Sequence, residues 1–91
     1  MSAKRYYRVT EVAQSCHIEE GIILQFIEKQ WLKPVNVDSL QFDEEDLARA
    51  RLIQDLRKDM GVNDDSVPII LHLLDQLHYL QQYLNRISKE S

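Results

Sequence analysis

The sequence predicts a mainly α-helical protein: a winged helix-turn-helix with a small β-hairpin wing and a long C-terminal coiled-coil helix. Apolar residues recur at helical spacing in residues 18–30, 43–60 and 68–87, in a chain with two glycines and two prolines. Residues 35–42 instead alternate apolar and polar side chains, as a hairpin does. The 91 residues suffice for one compact unit. We divide it into a helix-turn-helix part, 1–61, and a C-terminal dimerisation helix, 62–91.

The first two helices are predicted from a cap residue and an inward apolar stripe. Thr10 is a good N-cap, so a helix of about two turns is expected to begin there. Cys16 and His17 are expected in the turn that follows. The second helix, residues 18–30, stops before Pro34, because the residue before a proline resists helical backbone angles. Its inward face carries Ile22, Ile23, Phe26 and Ile27.

The wing and the third helix meet at Asp43. The wing places apolar residues on both sides of a turn that contains no glycine, so its turn type stays open: Val35, Val37, Leu40 and Phe42. Asp43 is expected to cap the third helix, and Asp46, three residues later, completes the pattern of a capping box. Gly61 is expected to close this helix in the left-handed conformation. The buried side is predicted to contain Leu47, Ala50, Ile53, Leu56 and Met60.

The last helix begins near Pro68, which fits a first helical turn because the missing amide hydrogen is not needed there. From Ile70, its apolar residues follow the 3-4-3-4-3 spacing of a coiled-coil seam. The first half is expected to pack on the domain core, and the half from Leu77 onward to extend beyond it. Because an exposed apolar stripe of this length is a liability, we expect a homodimer. The predicted dimerisation residues are Leu73, Leu77, Leu80, Leu84 and Ile87.

The charge of the second helix argues against a nucleic-acid partner. A DNA-reading helix-turn-helix places its second helix in the major groove, where positive charge is expected. Here Glu19, Glu20 and Glu28 outweigh Lys29. The chain has a net charge of −4, and its one basic segment, residues 1–17, holds three basic residues against one acid. This pattern favours a protein partner over a DNA duplex.

Residues capable of catalysis or metal binding form no recognisable constellation in the sequence. The single cysteine, Cys16, excludes a disulfide within the chain. His72 and His78 are six residues apart and diverge by about 120° on one helix, so they do not form a metal-binding pair. A glycine-rich phosphate loop is absent from the sequence. We therefore expect a protein that is not an enzyme and uses no cofactor or metal.

The sequence also predicts a cytoplasmic protein. A lone cysteine fits a reducing compartment. Residues 1–8 are basic and aromatic and no apolar run follows them, unlike a signal peptide. The longest apolar stretches fall far short of the length that spans a membrane.

The order of these parts resembles the MerR superfamily. The similarity is carried by residues 7–13 (YRVTEVA), by residues 32–34 (LKP) at the helix-to-wing junction, and by residues 42–57 as the post-wing helix. The chain departs from MerR regulators in the parts that they use on DNA. Their second helix typically carries an arginine followed by an aromatic pair, whereas residues 24–28 here read LQFIE. Their wing usually carries glycine and arginine, whereas residues 36–39 read NVDS.

The chain more closely resembles the CbpM family of chaperone modulators, which are MerR-like proteins of similar length, over residues 6–87. The acidic second helix and the run from residue 57 (RKDMG) through residues 63–68 (NDDSVP) to Leu77 carry this likeness. The resemblance implies binding to the J-domain of CbpA, a DnaJ-like co-chaperone, and inhibition of its work with DnaK. J-domains, as a family, present a basic helix to DnaK, and an acidic helical protein can cover such a surface.

Exposed acids are the expected docking residues for this function. The first choice lies on the second helix: Glu19, Glu20 and Glu28. The second choice begins the third helix, where capping and compensation of the helix dipole are an alternative explanation: Asp43, Glu44 and Glu45.

The alternative function is a dimeric MerR-like transcriptional regulator that binds DNA. In that case basic residues would contact phosphates: Lys4, Arg5, Arg8, Arg49 and Arg51.

Overall fold

A computed structural model describes residues 5–90, except for the side chain of Glu90. Over these residues the fold is mainly helical, as predicted. The elements in chain order are α1 (Val9–Cys16), α2 (Glu20–Glu28), α3 (Glu44–Gln54), a π-helical turn (Asp55–Asp59), a 3-10 turn (Asp64–Ser66) and α4 (Val67–Glu90). Helix α1 packs against both α2 and α3, so the helix-turn-helix and the third helix share one core.

The start of α1 differs from the prediction at Thr10. The helix begins at Val9, and Arg8 is its N-cap residue in extended conformation. The Glu11 carboxylate accepts a hydrogen bond of 3.1 Å from the backbone N–H of Arg8, which holds the pKa of Glu11 below its ordinary value. The acid at the third helical position thus satisfies the N-cap amide and fixes the N-cap at Arg8, two residues before the predicted Thr10. Thr10 lies inside the helix.

Both α1 and α2 end at a residue in the left-handed conformation that is not glycine. His17 follows α1 with φ 58°, and Gln30 follows α2 with φ 64°, so α2 is shorter than the predicted 18–30. The residue after each of these donates its backbone N–H to a carbonyl in the last turn of the helix. Ile18 donates to the Ala13 carbonyl, and Trp31 donates to the Phe26 carbonyl, both at 3.0 Å. This hydrogen bond satisfies an otherwise free carbonyl of the helix end. Left-handed backbone angles cost a residue with a Cβ atom about 1–2 kcal/mol.

The variant Gln30→Gly is expected to raise the free energy of unfolding by about 1 kcal/mol, because glycine removes the Cβ penalty at φ 64°. The matched control is Gln25→Gly, an exposed position inside α2, which is expected to lower the same quantity by about 0.5 kcal/mol. Urea denaturation followed by circular dichroism measures both. Destabilisation by Gln30→Gly would contradict the left-handed end of α2.

The predicted β-hairpin wing is wrong. Within residues 5–90, the backbone forms isolated bridges in place of strands, and one of them joins Asn36 to Gln41 through two hydrogen bonds of 3.1 and 3.2 Å. No glycine is available for a tight turn, and Leu40 takes the left-handed conformation with φ 51°. The Asn36 side chain accepts the N–H of Ser39 at 3.2 Å. This local bond competes with a strand ladder, so the segment is a compact loop.

The core lies between α1, α2, α3 and the first turn of α4. The second isolated bridge pairs Tyr7, which precedes α1, with Phe42, which precedes α3, through backbone hydrogen bonds of 2.7 and 2.9 Å. The buried apolar residues that form one cluster are Val12, Ala13, Cys16, Ile23, Phe26, Trp31, Leu32, Phe42, Leu47, Ala50, Ile53, Val67 and Leu71.

The buried face of α3 agrees with the prediction except at Met60. Leu56 is buried, but Met60 is 68% exposed. Between them the helix widens, and the Met60 amide donates to the Asp55 carbonyl five residues back at 3.0 Å. A π-helical turn holds more residues than an α-helical turn, so four residues no longer return to the same face. Gly61 then closes the helix with φ 65°, as predicted.

Helix α4 leaves the core after its first turn. Val67 and Leu71 are buried, whereas every side chain from His72 to Lys89 is exposed. Of the seam residues expected to pack on the core, Ile70 is half-buried, but Leu73 is 58% exposed, so that expectation is wrong at Leu73. Among residues 5–90, no helix combines the length and the apolar character needed to cross a membrane.

Candidate partner-binding surfaces

Helix α2 has one buried face and one acidic face. Ile23 and Phe26, on its inner face, are fully buried. On the opposite side Glu20, Leu24 and Glu28 are exposed. Their spacing of four residues places them in one line along the helix. Glu19, the exposed N-cap residue, extends the acidic charge beyond the first turn.

The acids of α2 keep their charge uncompensated. Across residues 5–90, no ion pair or hydrogen bond reaches the carboxylates of Glu19, Glu20 or Glu28. Lys29, the basic residue at the end of this helix, is engaged elsewhere. Its ammonium lies 3.4 Å from a carboxylate oxygen of Asp64 and 5.0 Å from the centre of the Trp31 ring. The surface of α2 therefore attracts positive charge from outside the chain.

The acids at the start of α3, which are the second choice of docking residues, comprise one helix cap and two exposed side chains. Asp43 caps α3, because its carboxylate accepts the N–H of Asp46 at 2.8 Å while Asp46 accepts the N–H of Asp43 at 3.1 Å. This is the predicted capping box. Burial raises the pKa of Asp46. Glu44 and Glu45 are exposed, so they are the members of this group that a partner can reach.

The cap at Asp43 gives a stability prediction. The variant Asp43→Ala is expected to lower the free energy of unfolding by about 1 kcal/mol. The N–H of Asp46 loses its acceptor, and the reciprocal hydrogen bond from the residue 43 N–H to the Asp46 carboxylate loses the geometry of the capping box. The matched control Asp43→Asn retains an acceptor oxygen at the same position and should be nearly neutral. Urea denaturation measures both. Equal losses in the two variants would contradict a capping role.

The basic residues that a DNA-binding function would use are largely bonded within the chain. The Arg5 guanidinium pairs with Glu11 at 3.5 Å, and Arg51 donates to the Ser15 hydroxyl at 2.8 Å. Arg8 is exposed. Lys4 lies outside the described residues.

Arg49, the fifth residue of that set, joins α3 to α4. Its Nε atom donates to the Trp31 carbonyl at 2.8 Å, and its two terminal nitrogens donate to the Asp75 carboxylate at 2.9 and 3.3 Å. The hydrogen bonds from Arg49 hold the pKa of Asp75 below its ordinary value. Arg49 therefore orients α4 on the domain, and three of the five predicted phosphate contacts already have intramolecular partners.

The projecting part of α4 carries an uncovered apolar seam. Its predicted dimerisation residues are between 44% and 62% exposed: Leu73, Leu77, Leu80, Leu84 and Ile87. The side chains that flank this seam are uncharged, among them Gln76, Gln81 and Tyr83. Charge repulsion at its edges does not oppose pairing with a second apolar helix.

The single cysteine is a core residue. Cys16 is buried at the end of α1, and burial raises the pKa of its thiol. A protonated, enclosed thiol is a poor nucleophile. Across the described range 5–90, the structure brings together no group of three residues able to hold a metal ion.

Leu24 is the surface residue that the sequence interpretation missed. The apolar stripe of the second helix indicates its inward face, and charge indicates the docking residues, so neither criterion selects Leu24. Its position four residues from both Glu20 and Glu28 was a signal available in the sequence.

Comparison with known proteins places this helical module in a family. The family described as "MerR HTH family regulatory protein" matches residues 7–89, so the chain belongs to it. The chain is also similar to proteins named "Chaperone modulatory protein CbpM" from three strains of Coxiella burnetii: Dugway 5J108-111, RSA 331 / Henzerling II and CbuG_Q212. With each of these it shares 27% identity over 84 residues, which cover 90% of this chain and 79% of the relative. The resemblance to the CbpM family is thereby confirmed, and both names describe non-enzymatic kinds of protein.

Proposed function

We propose that this protein is a cytoplasmic, non-enzymatic chaperone modulator. It binds the J-domain of a CbpA- or DnaJ-like co-chaperone and inhibits the work of that co-chaperone with DnaK. The observation that carries the proposal is the exposed face of α2, where Glu19, Glu20 and Glu28 have no partner among residues 5–90. The similarity to chaperone modulatory proteins supports the same function.

Inhibition follows from competition for one basic surface. J-domains use a basic helix to engage DnaK, and the acidic face of α2 is complementary to such a helix. Complementary charge accelerates the encounter, and buried apolar contacts slow dissociation. A J-domain whose basic helix is covered by α2 cannot present that helix to DnaK.

We further propose that two copies associate through the seam of α4. A seam of five exposed apolar residues, from Leu73 to Ile87, is costly in water. Pairing two such helices buries it, at about 25 cal/mol per Å² of apolar surface removed from water. The dimer would carry two α2 faces, one on each copy.

The runner-up is a dimeric DNA-binding regulator, favoured by the helix-turn-helix and by the family description. Fluorescence anisotropy at physiological salt separates the two functions, with a labelled J-domain of a CbpA-type co-chaperone in one titration and a labelled DNA duplex in the other. We expect saturable binding to the J-domain and none to the duplex. Tight, salt-sensitive binding to the duplex without binding to the J-domain would overturn the proposed function.

A further inference from the structure

A leucine lies uncovered at the centre of the exposed face of α2. Leu24 is 46% exposed and is the large apolar side chain that this helix presents to solvent. Glu20 and Glu28 lie one helical turn before and after it on the same line. Apolar anchors surrounded by polar groups are the usual centres of binding energy in protein interfaces.

Gly21 flanks Leu24 on the same face, three residues earlier. Gly21 is the second residue of α2, in its first turn, and glycine forms helix less readily than residues with a side chain. A Cβ atom added at Gly21 would meet no described atom within 4 Å, and Gly21 is not among the described residues with positive φ. Packing within residues 5–90 therefore does not require glycine here. A partner helix packed against α2 would require glycine at this position, because the missing side chain lets another backbone approach closely.

We propose that Leu24 and Gly21 form the apolar seat of the docking surface on α2. Its occupant is a basic amphipathic helix that carries an apolar side chain between two basic residues. This inference rests on the proposed function, in which α2 binds the basic helix of a J-domain.

The spacing along α2 sets the pattern of the occupant. Glu20 and Glu28 are eight residues apart, which is about 12 Å along the helix. A partner helix that runs nearly along α2 therefore places basic residues opposite both acids when they lie four before and four after its apolar residue. The carboxylates are free to receive them, since no described side chain within 5–90 pairs with either.

The acids and the leucine contribute to binding in different ways. Exposed charges act over a distance that salt shortens, so Glu20 and Glu28 set the salt dependence of the affinity. Contact between Leu24 and an apolar side chain is insensitive to moderate salt. Loss of the apolar seat should therefore weaken binding by a similar factor at every salt concentration.

The test titrates a CbpA-type J-domain with the full chain at several salt concentrations. Leu24→Gln is expected to raise Kd about tenfold or more, with an unchanged slope of log Kd against log salt. Gly21→Gln is expected to raise Kd by a similar factor, because the glutamine side chain fills the space beside Leu24. Glutamine is a better helix former than glycine, so a weaker helix would not explain this loss. Val37→Gln, which replaces another exposed apolar residue outside α2, is the control and should leave Kd unchanged.

The inference requires a loss of J-domain affinity in both Leu24→Gln and Gly21→Gln. Wild-type affinity in either Leu24→Gln or Gly21→Gln, or an equal loss in Val37→Gln, overturns the inference and leaves the proposed function standing. Failure of the unaltered protein to bind the J-domain overturns the proposed function itself. Thermal unfolding of each variant identifies any loss of affinity that comes from a loss of fold.

Discussion

The double variant Glu20→Lys/Glu28→Lys is expected to weaken binding to the J-domain at least a hundredfold. Each substitution replaces attraction to a basic helix with repulsion, and juxtaposed like charges cost several kcal/mol in an interface. Both residues are exposed, and no described residue within 5–90 pairs with them. Folding should therefore survive the change. Fluorescence anisotropy with the labelled J-domain measures the loss, and circular dichroism confirms that the helices are retained.

The matched control reverses two acids at the start of α3, in Glu44→Lys/Glu45→Lys. This variant has the same change in net charge as the α2 variant, so a uniform effect of net charge would weaken both equally. We expect a loss of less than tenfold, from long-range attraction alone. A larger loss in the α3 variant than in the α2 variant would move the docking surface to α3, and equal losses would remove the assignment of a docking face.

The second large effect concerns the oligomeric state. The double variant Leu77→Asp/Leu84→Asp is expected to sediment as a monomer at concentrations where we expect the unaltered protein to sediment as a dimer. The two positions are seven residues apart on the exposed seam. In a dimer, aspartates there would be buried without a partner, which costs several kcal/mol for each charge.

The control for this variant is His78→Asp/Asn85→Asp, which introduces two aspartates with the same spacing on another face of α4. Analytical ultracentrifugation should report a dimer for the control. Retention of the dimer by Leu77→Asp/Leu84→Asp, or a monomer for the unaltered protein, would contradict association through the seam. J-domain binding by the monomeric variant shows whether one copy suffices for docking.

The helices could be predicted because local chemistry fixes them. The capping box of Asp43 and Asp46 and the left-handed Gly61 lie where the sequence indicated. The errors arose where two local preferences compete. At α1, a carboxylate that reached back to the N-cap amide outweighed the hydroxyl of Thr10. In residues 35–42, the Asn36 side chain bonded to Ser39 and no strand ladder formed within the described segment. Met60 was misplaced because a π-helical turn carries no clear sequence signature.

The candidate surfaces could be predicted only in part. Charge indicated the acids of α2, but their freedom from ion pairs depends on where Lys29, Arg49 and Arg57 are engaged. The pairs Lys29–Asp64 and Arg49–Asp75 join residues that are 35 and 26 positions apart in the chain, so spacing alone does not reveal them. The sequence indicated Asp43 as a cap, and the fold adds that Glu44 and Glu45 beside it are exposed. The spacing of four residues from Glu20 and Glu28 places Leu24 on the acidic line in the sequence, but its 46% exposure is seen only in the fold.

The ATPase rate of DnaK in the presence of a CbpA-type co-chaperone tests the central claim most directly. Added in excess over the co-chaperone, this protein is expected to return the stimulated rate to the unstimulated rate, because in the proposed complex α2 covers the basic helix that DnaK requires. The variant Glu20→Lys/Glu28→Lys should leave the stimulation intact. A stimulated rate that stays unchanged at saturating concentrations of the unaltered protein would contradict its function as a J-domain inhibitor.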